Sequence, residues 1–261
     1  MNAEAYSMFA LYLQTAVLTI LLLLCIRMTG GRESAALRTF FAFGIASFLV
    51  SDLYWIAYSL LEPGTRMPFA VNEIGECACH LLLASAIRTQ LSDQPTDWKR
   101  KTVAAAAFAA ANTALWIAWS GEWLQDIISG LALGYYLTVA VRLLCQEDAL
   151  SRTEWKGLSI LSAALILMQL LTFLIPERIR VIPDGICYAL MGVGLLFFTW
   201  KCIRAMRNES GSFMSAAFAC MGCGTVCLYM SDGVSYTVIS LFITAFLVMM
   251  FTAVKRRVKN Q

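Results

Sequence analysis

Apolar residues fall into nine runs of about transmembrane length, separated by short polar segments. They lie near 5–26, 38–61, 68–90, 102–120, 123–145, 156–175, 181–203, 213–230 and 234–254. A helix crosses a bilayer with about 20 mostly apolar residues, so the pattern predicts nine transmembrane helices. Only Ser231, Asp232 and Gly233 part the last two runs, which leaves eight spans with one kinked segment as the alternative. The longest polar connection, Thr89 to Lys101, is too short for a folded insertion. The expected architecture is an all-α integral membrane protein: one polytopic helical bundle over 1–261, with no soluble domain.

Charge orients the bundle. With the N-terminus outside, 17 of the 20 basic residues fall on inner segments, and only Arg66, Arg178 and Arg180 fall outside. Lys and Arg concentrate on the cytoplasmic side of membrane proteins, so the N-terminus is expected outside and the C-terminus in the cytoplasm. Trp98, Trp155 and Trp200 fit an inner aromatic belt, and Trp116, Trp119 and Trp123 an outer one. Ten of the 17 acids lie outside or in the outer half. The first span has no basic residue before it and no small-residue cleavage site after it, so it reads as an anchor.

Composition agrees with this class: 59% of the 261 residues are apolar and 14% charged, against roughly 25% charged in soluble domains. A multi-pass protein of a bacterial inner membrane is the expectation, with the lipid bilayer as its main partner. A membrane or cytoplasmic protein partner is a second expectation, because no output domain is visible. No nucleic-acid partner and no cofactor are expected. Nine cysteines in so long a chain do not make a disulfide framework. Cys220, Cys223 and Cys227 share a helix face, as small buried residues often do.

A weak repeat runs through the outward-starting spans. Asn72-Glu73, Gln125-Asp126, Pro183-Asp184 and Ser231-Asp232 each place an acid near a span start, one helical hairpin apart. This suggests tandem hairpins, with acids that favour helix N-termini.

The candidate chemistry is concentrated in the second and third spans. Ser51-Asp52-Leu53-Tyr54-Trp55 lies in one, and Glu73, Glu76 and His80, the only histidine, lie in the next. At about 100° per residue, Glu73, Glu76 and His80 fit within an arc of about 60°. Counting from Pro68 at about 1.5 Å per residue, they lie roughly 7, 12 and 18 Å below the outer end, and Asp52 roughly 13 Å. A short loop makes the two helices antiparallel neighbours, so Asp52 is expected to face Glu76 and His80. A charged side chain at such depth costs about 2.5–3.5 kcal/mol even on insertion scales. Such a group calls for water, a metal or shared protons.

The expected ligand-binding residues are therefore Asp52, Glu73, Glu76 and His80, with Tyr54 and Trp55 as aromatic walls for a cation. The leading expectation is a carrier or receptor-like subunit for a cation, proton or small amine. A metal is the lesser expectation: two carboxylates and an imidazole suit a first-row divalent ion, but no second Glu-x-x-His unit follows. Catalytic residues are not expected, since no nucleophile-elbow, phosphate-loop or zinc-protease motif occurs.

Asp52 on one helix followed by His80 on the next resembles the membrane lysoplasmalogenase-like family, where Gly-Asp and His motifs sit on successive helices. The likeness spans Phe48 to Leu83, and Ser51 stands where the family has Gly. It implies a membrane-embedded hydrolase using Asp52 and His80 as the alternative function. A structural or partner-binding protein without a ligand is the third reading.

Overall fold

The computed structural model describes residues 3–62, 71–92, 98–231 and 233–260. Among them every regular element is an α-helix: α1 (Ala3–Ile26), α2 (Ala35–Leu61), α3 (Val71–Arg88), α4 (Lys99–Ser120), α5 (Trp123–Gln146), α6 (Arg152–Leu174), α7 (Glu177–Arg207), α8 (Phe213–Tyr229) and α9 (Gly233–Lys259). Seven are long and apolar enough to cross a membrane. The other two are α3, whose 18 residues include Glu73, Glu76 and Arg88, and α8, which has 17 residues. The last two apolar runs form separate helices, α8 and α9.

Local chemistry sets the helix ends. Ser151 and Glu154 form a capping box that starts α6: the Ser151 hydroxyl accepts from the Glu154 N–H, and the Glu154 carboxylate accepts from the Ser151 N–H. Such a cap is worth about 0.5–2 kcal/mol. At the far end of α4, Gly121 takes φ 75° and returns its N–H to the Ile117 carbonyl. That left-handed turn suits glycine, which has no Cβ to clash. Pro176 then starts α7 four residues before the apolar run at 181, so α7 includes the polar turn Glu177 to Arg180.

This early start corrects one element of the expected repeat. Asp184 lies about two turns inside α7, where it cannot cap the helix; Glu177 occupies the first turn instead. Asp126 does lie in the first turn of α5 and accepts a 2.5 Å hydrogen bond from the Ser120 hydroxyl. Arg66, Pro68 and Asp232 lie outside the described residues, as do the side chains of Glu4 and Asn72.

The chain divides into two compact units, Met1–Leu91 with Cys220–Gln261, and Ser92–Ala219. In the first, α2 and α3 pack as an antiparallel hairpin with unusually close backbones. A Cβ on Gly75 would come within 2.9 Å of the Ser47 carbonyl, and one on Gly44 within 3.0 Å of Leu83. Small residues let membrane helices approach in this way. The polar ends of this unit meet: Arg38 donates to the Met28 and Gly30 carbonyls, and Arg257 to the Gln90 side chain. The second unit is organised likewise. Arg142 lies over Trp98, Lys101 over Trp155, and Lys201 pairs with Glu154 at 3.0 Å, all at one end. Within each unit successive helices therefore run up and down.

Both units are apolar on the outside. Phe9, Ile20, Leu60, Leu131, Ile160, Leu196 and Val234 are all exposed, which suits lipid and would be unfavourable against water. None of the nine cysteines is joined in a disulfide.

Candidate functional site

The predicted polar residues lie in the first unit, and neutral side chains that charge counting overlooks organise them. Asp52 is 4% exposed on α2. Its two carboxylate oxygens accept from the Gln14 amide nitrogen at 3.2 and 3.1 Å, and one also accepts from the Thr15 hydroxyl at 3.4 Å. Gln14 is itself buried, and its carbonyl oxygen accepts from the Thr244 hydroxyl at 3.4 Å. One carboxylate thus ties α2 to α1 directly and to α9 through a single amide. Among the described residues all its hydrogen-bond donors are neutral.

His80, also 4% exposed, belongs to a second network between α3 and α8. Its Nδ1 lies 2.8 Å from the Glu76 carbonyl oxygen and its Nε2 lies 3.2 Å from the Thr225 hydroxyl. A carbonyl only accepts, so Nδ1 carries a hydrogen. The Thr225 hydroxyl also lies 3.0 Å from the Met221 carbonyl. Its one hydrogen serves one of two partners. Directed at Nε2, it goes with a neutral ring; directed at Met221, it leaves Nε2 to carry its own hydrogen and the ring to be cationic. The pair therefore has two donor arrangements that differ by one proton.

Glu76 is half-buried, and the Tyr229 hydroxyl donates to it at 3.5 Å, the outer limit of a hydrogen bond. Asp52 and Glu76 lie within electrostatic reach of each other, and Glu73 of Glu76. Cys79, 1% exposed, lies within reach of both Asp52 and Glu76. The Gly75 contact explains the proximity, because it presses α3 onto α2 at Ser47 and Ser51, beside Asp52.

The three carboxylates interact electrostatically, whereas His80 is tied only to the Glu76 backbone carbonyl and the Thr225 hydroxyl among the contacts described, so two separate hydrogen-bond networks serve these residues. The two expected aromatic walls lie in different surroundings. Tyr54 stacks on Tyr58 with ring centroids 6.5 Å apart, and Trp55 is 41% exposed on the apolar exterior. Tyr54 follows Asp52 by two residues, about 200° round the helix, so the two point to different faces. Among the described residues no group of three His, Cys, Asp or Glu side chains is placed to hold a metal ion. The His80 nitrogens address a carbonyl and a hydroxyl instead.

Gln14, Thr15, Thr225, Tyr229 and Thr244 are the site residues that sequence reasoning missed. A signal for the first existed: Gln14 is the lone amide in the apolar run of α1, and a buried amide requires a partner. No family model, no curated protein and no solved structure matches the chain.

Proposed function

We propose that the protein is a carrier or receptor-like membrane subunit that takes up a proton, or a small cation or amine in its place, at the Asp52–Glu76–His80 region. In this reading the N-terminus lies outside and the C-terminus in the cytoplasm of a bacterial inner membrane, which puts this region in the outer half of the bilayer. The observation that carries the reading is the Asp52 carboxylate, 4% exposed and, among the described residues, bonded through the neutral Gln14 and Thr15 side chains. A buried charge is costly unless a partner compensates it. Neutral donors offset part of that cost, and an arriving cation or proton would offset the rest.

Two further features support the reading. Gln14 can present its NH2 to a carboxylate or, after an amide flip, its oxygen to a protonated acid or cation. The flip would turn NH2 toward Thr244, so occupancy at Asp52 would be sensed on α9. The Thr225 hydroxyl offers a parallel exchange at His80, read out on α8. Loading of the site would thus change hydrogen bonding on α9, which packs against α1, and on α8, which is hydrogen-bonded to α3 through His80 and Thr225.

Thermal unfolding of the full-length protein in detergent tests this reading. Titrations with acid, sodium, potassium and a small primary amine would be compared for wild type, Asp52→Asn and Glu76→Gln. The expected result is a wild-type melting temperature that responds to at least one of them, with the response lost in Asp52→Asn and Glu76→Gln although both fold. A wild-type curve indifferent to pH between about 5 and 8 and to every cation would contradict it, because an interacting acid and histidine group should link folding to protons there.

A further inference from the structure

The second unit holds a cavity that the Asp52 region does not use. Its volume is about 120 Å³, and it lies where the end of α7 turns into the start of α8. Leu150, Phe198 and Ala216 contribute its apolar lining, and Lys201, Arg204, Asn208, Ser210 and Ser212 its polar lining. A ligand here would meet hydrocarbon on one side and two cations with two hydroxyls on the other.

The two cations differ in how much charge they have to offer. Lys201 spends two donors on the Glu154 carboxylate, at 3.0 and 3.1 Å. Arg204 lies over the Trp200 ring, its guanidinium carbon 5.3 Å from the centroid, and among the described residues no carboxylate pairs with it. A guanidinium supported on a ring face still presents its N–H edge, and that edge matches the oxygens of a phosphate. The Ser210 and Ser212 hydroxyls, 2.8 Å apart, can turn to donate to the same group.

The level in the membrane is the second observation. At this same end of the unit Lys101 lies over Trp155 and Arg142 over Trp98. Tryptophan and basic side chains together mark a bilayer interface, where phosphate groups lie. Basic pockets between helices at such an interface suit anionic headgroups.

We infer that this cavity binds a phosphate group through Arg204, Lys201 and the Ser210 and Ser212 hydroxyls. The group is carried by an anionic phospholipid or arrives as free phosphate. With a lipid, the glycerol end would lie against Leu150, Phe198 and Ala216. The site is independent of the Asp52 reading and stands or falls separately.

Native mass spectrometry of the delipidated full-length protein in an uncharged detergent tests it, with phosphatidylglycerol, phosphatidylcholine and inorganic phosphate as separate probes. The expected result is a saturable phosphatidylglycerol adduct that phosphatidylcholine does not form. Arg204→Gln should weaken it roughly tenfold or more, the size of a lost charge-assisted hydrogen bond. Arg204→Lys keeps the charge but loses the N–H edge and should fall between wild type and Arg204→Gln, and Lys259→Gln, a basic residue outside the cavity, should leave binding unchanged. A saturable inorganic phosphate adduct that is sensitive to Arg204 also supports the site and assigns the group to a soluble source. Arg204 is exposed, so Arg204→Gln should fold; should it melt early, Ser210→Ala with Ser212→Ala carries the same test. Equal binding of the two lipids with no phosphate adduct, or equal losses in Arg204→Gln and Lys259→Gln, would overturn the inference.

Discussion

Gln14 and Asp52, 38 residues apart on α1 and α2, meet through one amide nitrogen and two carboxylate oxygens, at 3.2 and 3.1 Å. Both side chains are buried, so each supplies what water would otherwise give the other. Gln14→Leu should therefore do more than remove one bond. It leaves the Asp52 carboxylate with the 3.4 Å Thr15 contact alone, at a cost of about 1–3 kcal/mol for a buried partner left unmet. The double variant Gln14→Leu with Asp52→Leu should be less destabilised than the sum of the singles. Melting temperatures of the four proteins complete the cycle, and strict additivity would mean that the two residues are uncoupled.

Thr225 offers a test of the histidine network. Thr225→Val keeps the side-chain shape but leaves the His80 Nε2 facing a methyl group, where it now meets a hydroxyl at 3.2 Å. The expected loss is about 1–3 kcal/mol of stability, together with part of the acid response. Thr225→Ser restores the hydroxyl and should restore both. A purely steric role for Thr225 predicts the opposite order, with valine tolerated better than serine.

Glycine contacts separate close helix packing from backbone flexibility. Gly75→Ala places a Cβ within 2.9 Å of the Ser47 carbonyl and 3.0 Å of the Ser51 Cβ, both on the facing helix. Neither can move aside without parting α2 and α3, so the expected cost is about 1–3 kcal/mol. A Cβ on Gly157 would meet nothing within 4 Å, and Gly157→Ala should be neutral or stabilising by up to about 1 kcal/mol. Thermal unfolding of the two variants side by side reads the difference.

The proposed topology rests on the distribution of basic residues and is directly checkable. A cysteine placed at Gly64 should react with an impermeant maleimide on intact cells. One placed at Gly211, between α7 and α8, should react only after the membrane is opened. A reporter fused after Gln261 should be active only in its cytoplasmic form. Reversed accessibility at the two positions would overturn the orientation.

The helices were legible because hydrocarbon sets a length: each apolar run near 20 residues corresponds to one helix. The ends of α7 were less legible. Its first turn is held by Pro176 and polar residues, which an apolar count does not see. In the site, Asp52, Glu76 and His80 stood out because charge is rare in apolar runs. Their partners did not, because Gln14, Thr225 and Thr244 are neutral. Helix periodicity relates residues within one helix and does not say which helix lies beside which. Face-sharing also says little about direction, as Trp55 shows on the exterior.

The central claim is that Asp52 changes protonation or cation occupancy within the membrane. Difference infrared spectroscopy of the reconstituted full-length protein, in the carboxyl C=O stretching region, tests it most directly. The account predicts a band that changes when pH is stepped between about 5 and 8 or the effective cation is added, and that Asp52→Asn abolishes. It also predicts an amide band that shifts with it and is lost in Gln14→Leu. A wild-type spectrum with no change attributable to Asp52 under any of these conditions would contradict the account and leave the network a packing device.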